Sequence, residues 1–561
     1  MFFSFFLAFL FLIILLVSSI GYGRFLHYII FDKSYKSNYG EYGLLGLIFI
    51  SFISTFLHFF IKINYYLNSF IYFVGLVLAV YFYREIKIFY KNNKNFLILI
   101  ILISLLMVAY HKPNEDFGYY HLPYLINFIS EKVIFGLSTI QTNQGWNSMW
   151  LNLTATYNLP IIEMNGFHLT NSVFFIFLSF ALLDHFFNYN KNIKSSFYFK
   201  NLLSIFGVIF FRYFLIKFSR INTYGFDVPS NFISIYCFYL FLYYFSLGNH
   251  LSDKKKYIFQ KVTIFSCFAV LIKLSNLLIL LLPTLLFLIK ERKILSKSFI
   301  FISFFFIIWS LQQFIYTGCL IFPLIQSCIN VSWFNADSVV ALLDHTKGIN
   351  KSFAQYKGNL SELEYSQNFN WVSTWFNRTK KEILEHLVSF IVIFASIFLC
   401  LAPKKKNILY LNKKIYNFYY ALFFIICFQI FFWFNTSPLV RFGLHYVLLL
   451  LFFILTLFLS RFLLKNLNFK YIVFLLYFGL VINLEKNFFR IFHDMKNNYS
   501  FFYTYPEVYY VNKYTFENDV NINYLIKTKS VYCWNTASLC LAGNQDISIN
   551  RLNGYLFINV K

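Results

Sequence analysis

Charge is scarce in this chain. Only 13% of the 561 residues are charged and 59% are hydrophobic, with 23 acidic side chains against 48 Lys and Arg. That is more apolar material than one water-facing core can bury. No Walker-type or dinucleotide glycine loop is present, so nucleotide hydrolysis has no support. No cysteine pair approaches CxxC spacing or has a histidine beside it, which argues against a zinc site. There is no internal repeat of the kind seen in transporters built from duplicated halves. The first apolar run has neither a basic leader nor a small-residue cleavage site and reads as a retained helix.

Long apolar runs fill the space that charge leaves. They lie near residues 2–20, 43–62, 66–83, 96–110, 169–188, 201–217, 229–247, 258–273, 275–290, 298–315, 386–402, 415–434, 443–460 and 469–484. Most reach the length needed to cross about 30 Å of hydrocarbon. The expectation is an all-α polytopic membrane protein with about fourteen transmembrane helices. Residues 1–484 form the membrane domain, interrupted by polar segments 111–168 and 316–385, and residues 485–561 form a separate closing segment with a small β or α/β character. The tail strings VYYVNKYTFENDVNINYLI and GYLFINV alternate apolar and polar residues, as strands do. Its expected use is to cap the active side of the membrane domain.

Every second short loop is basic. Arg84, Lys87, Lys91 and Lys94 mark one; Lys191, Lys194 and Lys200 the next; then Lys254, Lys255 and Lys256, a group from Lys290 to Lys297, and a last from Lys404 to Lys414. Basic loops stay on the cytoplasmic side, so both long polar segments and the tail are expected on the outer face, the periplasm of a bacterium. The net charge of +25 is then mostly topology rather than a nucleic-acid surface.

The segment after residue 110 carries the first candidate site. Glu115 and Asp116 are adjacent acids close to a lipid boundary, where carboxylates are costly unless they bind a cation, pair with a base or move protons. The string LPYLINFISEKVIFGL after them has helical apolar spacing and reads as an amphipathic helix on the interface. An acid there can take a proton from an acceptor hydroxyl; the plainer alternative is that the pair caps the helix. His121 can orient the acid or assist a phosphate, or is simply a surface histidine. Tyr119 and Tyr120 offer rings for a sugar, a weak signal in a chain that is 24% aromatic, with 80 Phe and 44 Tyr of the kind an AT-rich genome accumulates. In the same Asn-rich composition, Asn152-Leu-Thr and Asn377-Arg-Thr are not taken as glycosylation sites.

Cations in or beside the spans form a second set: Arg212, Arg220, Lys273 and Arg441. Charge at bilayer depth marks a pathway or a counter-ion, or snorkels to the interface. Arg441 opens a run from the outer side with His445 one turn later on the same face, suited to a phosphate leaving group. Asp227 starts another run, either as a dipole-favoured acid, as a group that holds the donor sugar, or as the partner of Arg220. Cys533 and Cys540 in the tail are expected to pair in an oxidising compartment, while Cys319 and Cys328 are left open.

The strings NEDFGYYHLPYLINFI, GLSTIQTNQGWNSMW, FDVPSN, IKLSN, TGCLIFPL, SPLVRFGLHY and CWNTASLC together resemble a family of uncharacterised bacterial multi-pass proteins of GT-C-like layout. The long helical scaffold, whose first large outer loop opens with an acidic pair, is similar to the GT-C glycosyltransferases that use polyprenyl-phosphate sugars. The resemblance implies transfer of a sugar from such a donor to a lipid, glycan or protein acceptor at the outer face of a bacterial inner membrane, with Asp116 as general base and Glu115 behind it. It implies no organic cofactor, leaves a divalent metal open, and makes the lipid-linked sugar and membrane lipid the partners. The alternative is a polymerase, ligase or flippase-type component of surface-polysaccharide export, or a non-catalytic membrane protein.

Overall fold

The computed structural model describes the chain except residues 1, 32–34, 110–115, 188–196, 218–220, 222–223, 248–250, 290–296, 353–361, 402–412, 463–468, 497–525, 529–532, 534–538, 543–546 and 561. Glu115 and Arg220 therefore lie outside the described residues.

The protein is mostly helical. Four helices open it: α1 (Phe2–Ile30), α2 (Tyr39–His58), α3 (Tyr65–Tyr81) and α4 (Tyr83–Ala109). The first polar segment holds α5 (Leu122–Ser130), α6 (Leu137–Ile140) and α7 (Met149–Ala155). Six follow: α8 (Thr170–Phe187), α9 (Phe197–Lys217), α10 (Asp227–Ser246), α11 (Ser252–Ile272), α12 (Leu281–Ile289) and α13 (Lys297–Thr317). The second polar segment holds α14 (Ala336–Ser352) and α15 (Glu362–Ser366), and α16 (Val372–Leu401), α17 (Lys413–Thr436), α18 (Val440–Phe462) and α19 (Phe469–Lys496) complete the helical part. The apolar runs read from the sequence fall on these helices, except that the run at 275–290 begins on a 3-10 turn, Leu274–Leu280, before α12. Among the described residues six stretches are long and apolar enough to cross a membrane: Phe6–Ile30, Tyr39–His58, Met164–Asp184, Asp227–Ser246, Lys297–Thr317 and Tyr419–Thr436. Four more apolar stretches are shorter, among them Tyr65–Tyr81 and Val440–Leu455.

Helix packing here depends on close backbone approach as well as on apolar side chains, because lipid provides no hydrophobic drive between helices. A Cβ at Gly23 of α1 would sit 1.6 Å from the Tyr42 carbonyl oxygen of α2, a distance that requires glycine. Polar groups seal the same bundle: Ser18 Oγ donates to the Tyr72 carbonyl of α3 at 2.7 Å.

The interfacial helix expected at 122–137 is corrected. Its first part is α5, in which every residue from Leu122 to Phe128 is buried in protein rather than laid on lipid. Two things cover it. A network of buried amides and hydroxyls ties the loop into the bundle: Tyr124 Oη donates to Asn147 at 2.9 Å and Asn152 at 2.8 Å, and both asparagines donate to Gln312 Oε1 of α13. Buried polar groups need such partners, which fixes the loop in one arrangement.

The tail supplies the second cover. β1 (Ile526–Thr528) pairs in parallel with β2 (Cys540–Ala542), and β3 (Ile547–Leu552) pairs antiparallel with β4 (Tyr555–Val560). Asn553 (φ 50°) and Gly554 (φ 80°) make the two-residue hairpin turn, whose positive φ values match the twist of the flanking strands. Phe135 of the first polar segment exchanges backbone hydrogen bonds with Leu556 and Ile558 of β4, each 2.9 Å, and its ring stacks on Phe557. The tail thus closes over the polar segment, on the end of the bundle where α4, α11 and α13 finish.

Candidate functional site

At that same end a cavity of about 990 Å³ opens among the helix termini. Asp116, Asp227, Lys273 and Arg441 all line it. They come from four separated stretches of chain, and local structure aims each one.

Arg441 stands in the first turn of α18, after a tight corner from α17 held by two indoles: Trp433 Nε1 donates to the Leu439 carbonyl at 2.9 Å and Trp375 Nε1 to that of Pro438 at 2.6 Å. Gly443 makes the corner possible, since a Cβ there would fall 2.0 Å from the Trp433 ring. Asn231 of α10 donates to the Arg441 carbonyl at 3.0 Å. Lys273 leaves the end of α11 on extended backbone (φ −154°, ψ 117°), which swings its side chain out of the helix line. Asp227 is the first residue of α10, where a carboxylate also meets the positive end of the helix dipole.

The four side chains form one chain of charge. Arg441 Nη1 donates to Asp116 Oδ2 at 2.6 Å, and its Nε lies 3.9 Å from Asp227 Oδ2. Lys273 Nζ donates to Asp227 Oδ1 at 2.5 Å and sits 3.5 Å from the centre of the Phe442 ring, a cation–π contact that holds the ammonium at the wall. Asp116 makes no capping hydrogen bond to the π turn Phe117–His121 that follows it and is held by the ion pair instead; Glu115, the other acid of the capping alternative, lies outside the described residues. Two acids against two cations leave the quartet neutral. Among the described residues no three His, Cys, Asp or Glu side chains gather as a metal-ligand set; Asp116 and Asp227 are the carboxylates at the cavity.

His121 lies behind this wall. It is buried, with rings of Tyr120 at 4.3 Å and Phe226 at 5.2 Å, and neither ring nitrogen has a hydrogen-bond partner among the described residues. Burial pushes its pKa down to about 4, against the pull of Asp116 and Asp227, so the ring is neutral at pH 7. Tyr120 lines the cavity, and burial, reinforced by the same two acids, raises its hydroxyl well above the ordinary value. His445 does not reach the cavity; it is buried against Tyr446 at 3.8 Å. Arg212 is also elsewhere, buried with its Nη1 on Ser396 Oγ at 2.7 Å.

The quoted sequence strings meet at this end. Tyr446 Oη donates to Asn276 Oδ1 at 3.1 Å, and Asn276 donates in turn to Ser230, which joins SPLVRFGLHY, IKLSN and FDVPSN. Gln141, Asn143, Trp146 and Asn147 bring GLSTIQTNQGWNSMW to the cavity wall, and Phe322 brings TGCLIFPL. Cys533 forms a disulfide with Cys540, and its N–H donates to the Gly118 carbonyl at 3.0 Å, two residues from Asp116. Cys319 and Cys328 also form a disulfide.

Some of the lining was missed by the sequence reading. One face of α14, with Ser338, Leu342, His345 and Asn350, forms the outer wall, and Asn350 Nδ2 donates to Ser437 Oγ at 2.6 Å beside Arg441. The signal for it was the apolar spacing in ADSVVALLDHTKGINKS, a helix pattern inside a segment otherwise read as loop.

The family described as Domain of unknown function (DUF8201) matches residues 5–448. The chain belongs to that family. The match encloses all four members of the DUF8201 chain's charge quartet and leaves the β tail outside. No curated protein matches the chain, and no solved structure does.

Proposed function

We propose that this protein is a membrane glycosyltransferase that moves a sugar from a polyprenyl-phosphate donor to a lipid, glycan or protein acceptor. In this reading α1–α4, α8–α13 and α16–α19 are fourteen spans of a GT-C-like scaffold in a bacterial inner membrane, and the cavity opens to the periplasm. The observation that carries it is the Asp116–Arg441 pair at a cavity of about 990 Å³ with Lys273–Asp227 beside it. The two disulfides favour an oxidising compartment for this face.

The chemistry divides among the four groups. A donor phosphate brought to the cavity competes with Asp116 for the guanidinium of Arg441, because a planar fork clasps phosphate as well as carboxylate. That exchange frees the Asp116 carboxylate to accept the proton of an acceptor hydroxyl. The acceptor oxygen then bonds to the anomeric carbon, the bond from that carbon to the phosphate oxygen breaks, and the electron pair leaves on polyprenyl phosphate, stabilised by Arg441 and Lys273. Asp227 holds Lys273 in place. Tyr119, Tyr120 and Trp146 supply rings for the sugar.

The test is the mass of lipid-linked intermediates in cells lacking the gene. Accumulation of a polyprenyl-phosphate sugar supports the reading; an unchanged lipid-linked pool removes it.

One observation favours the transporting alternative. Glu41 of α2 and Lys261 of α11 form a buried ion pair at 2.5 Å, with Tyr236 donating to Glu41 at 2.6 Å. Ionisable pairs inside a bundle often mark an ion pathway. Glu41 is also the reciprocal partner of Asn38 in a capping box at the start of α2, which gives it a structural task. Loss of polysaccharide export in Glu41→Gln with transfer intact would separate the two.

A further inference from the structure

A second pocket, about 500 Å³, lies against α14 and is lined by Lys347, Lys351, Gln367, Asn368, Phe369 and Asn435 among others. Lys347 lines the larger cavity too, so the two spaces meet at that side chain.

Three observations bear on what it holds. The first is charge. Lys347 and Lys351 are four residues apart on α14 and so stand on one face, where like charges repel. Among the described residues Asp344 is the one carboxylate in the lining, 3.7 Å from Lys347. Lys351 Nζ donates to the Ser366 carbonyl at 3.0 Å and lies 5.6 Å from the centre of the Trp371 ring; no carboxylate pairs with it among the described residues. Its basicity is lowered by burial and then by Lys347. Among the described residues that line it, two cations stand against one carboxylate, whereas the Asp116 quartet is neutral.

The second is donor capacity. The side chains of Gln367 and Asn368 make no hydrogen bond among the described residues, so both amides are available at the pocket wall. The third is backbone. Asn368 (φ 48°) and Phe369 (φ 61°) are consecutive residues in the left-handed region, tolerable for Asn but strained for a bulky ring, and such strain concentrates where a segment binds something. The turn presents the Phe369 ring at 59% exposure beside the start of α16, where Phe376 is 56% exposed.

We infer that this pocket is a second anion site that takes a phosphate group, either on a lipid headgroup reaching in past Phe369 or free in solution. Lys351 and Lys347 contribute the charge, and the Gln367 and Asn368 amides add neutral donors. The inference does not rest on the transferase reading.

The experiment is calorimetric titration of the full-length protein in a neutral maltoside detergent with short-chain phosphatidic acid, inorganic phosphate and short-chain diacylglycerol. Phosphatidic acid is expected to bind and diacylglycerol not to. Lys351→Gln keeps a donor for the Ser366 carbonyl but loses the charge, and should raise Kd roughly 10- to 100-fold, the value of one charge-assisted hydrogen bond. Lys351→Arg should restore most of the affinity, which a folding defect would not allow. Arg441→Lys, in the larger cavity, should leave the Lys351-dependent binding in place, even if phosphate taken up at Arg441 itself is weakened. Inorganic phosphate binding as tightly as phosphatidic acid assigns the site to soluble phosphate; much weaker binding assigns it to a lipid headgroup. The inference is overturned if neither anion binds the wild-type protein, if Lys351→Gln binds as tightly as wild type, or if Arg441→Lys abolishes binding. A failed glycosyl-transfer assay with these titrations intact would remove the transferase reading alone.

Discussion

Arg441 and Asp116 stand 325 residues apart in sequence and 2.6 Å apart in space. The pair joins the start of α18 to the end of the segment that follows α4, and both side chains line the cavity of about 990 Å³. Its side chains are partly open to solvent, 47% for Arg441 and 24% for Asp116, so the bond contributes little to stability. A contact of such range that adds little to folding fits a site that exchanges partners.

The neighbouring pair is more enclosed. Lys273 and Asp227 have side-chain exposures of 12% and 30%, so removing one partner leaves a charge in a poor environment. Lys273→Met and Asp227→Asn should each destabilise the detergent-solubilised protein, and the double variant should lose less than the sum, with a coupling of about 1–3 kcal/mol. Thermal unfolding of the four proteins measures it. Additive losses would mean that the two groups do not act as a pair.

His121 gives a pH signature. Its pKa is lowered to about 4 by burial, while an unfolded histidine titrates near 6.5. Between those values the unfolded chain binds the extra proton, so stability is fully present above pH ~6.5 and falls as pH drops toward ~4. For one buried group the loss is on the order of 3 kcal/mol. His121→Phe should show a flatter unfolding temperature from pH 7 to 4.5 than wild type; equal slopes would place the acid sensitivity elsewhere.

The Cys533–Cys540 disulfide brackets two backbone bonds to the first polar segment, from Cys533 to Gly118 and from Leu539 to the Asn127 side chain at 3.1 Å. Asn127 in turn donates to Gln144 at 3.1 Å, within the loop that walls the cavity. A thiol-mass tag should miss both cysteines until reductant is added. Cys533→Ser with Cys540→Ser should loosen the tail by roughly 2–3 kcal/mol, seen as faster amide exchange at 533 and 539 with the helices unchanged. Tagging without reductant would show that no bridge forms.

Sequence carried the helices well because apolar runs of bilayer length have one stable outcome, and they fall on helices in the structure. The quartet was legible residue by residue for the same reason: Asp116, Asp227, Lys273 and Arg441 are charges where charge is costly. Their pairing was not legible, since no spacing rule links residues 116 and 441. The burial of α5 was misread because its apolar face is covered by a network through Gln312 and by a β hairpin from the far end of the chain, both long-range. His445 shared a helix with Arg441 but turns into the core against Tyr446, which one-turn spacing does not reveal.

Transfer of labelled sugar from a synthetic polyprenyl-phosphate donor by the purified protein, compared with Asp116→Asn, tests the central claim most directly. Asparagine keeps the size and can still accept a hydrogen bond from Arg441, but it has no basic oxygen. The account predicts transfer by the wild-type protein and a loss of roughly 10²–10⁴-fold in the variant, with unfolding temperature and Arg441 environment little changed. Transfer at the wild-type rate by Asp116→Asn would contradict it.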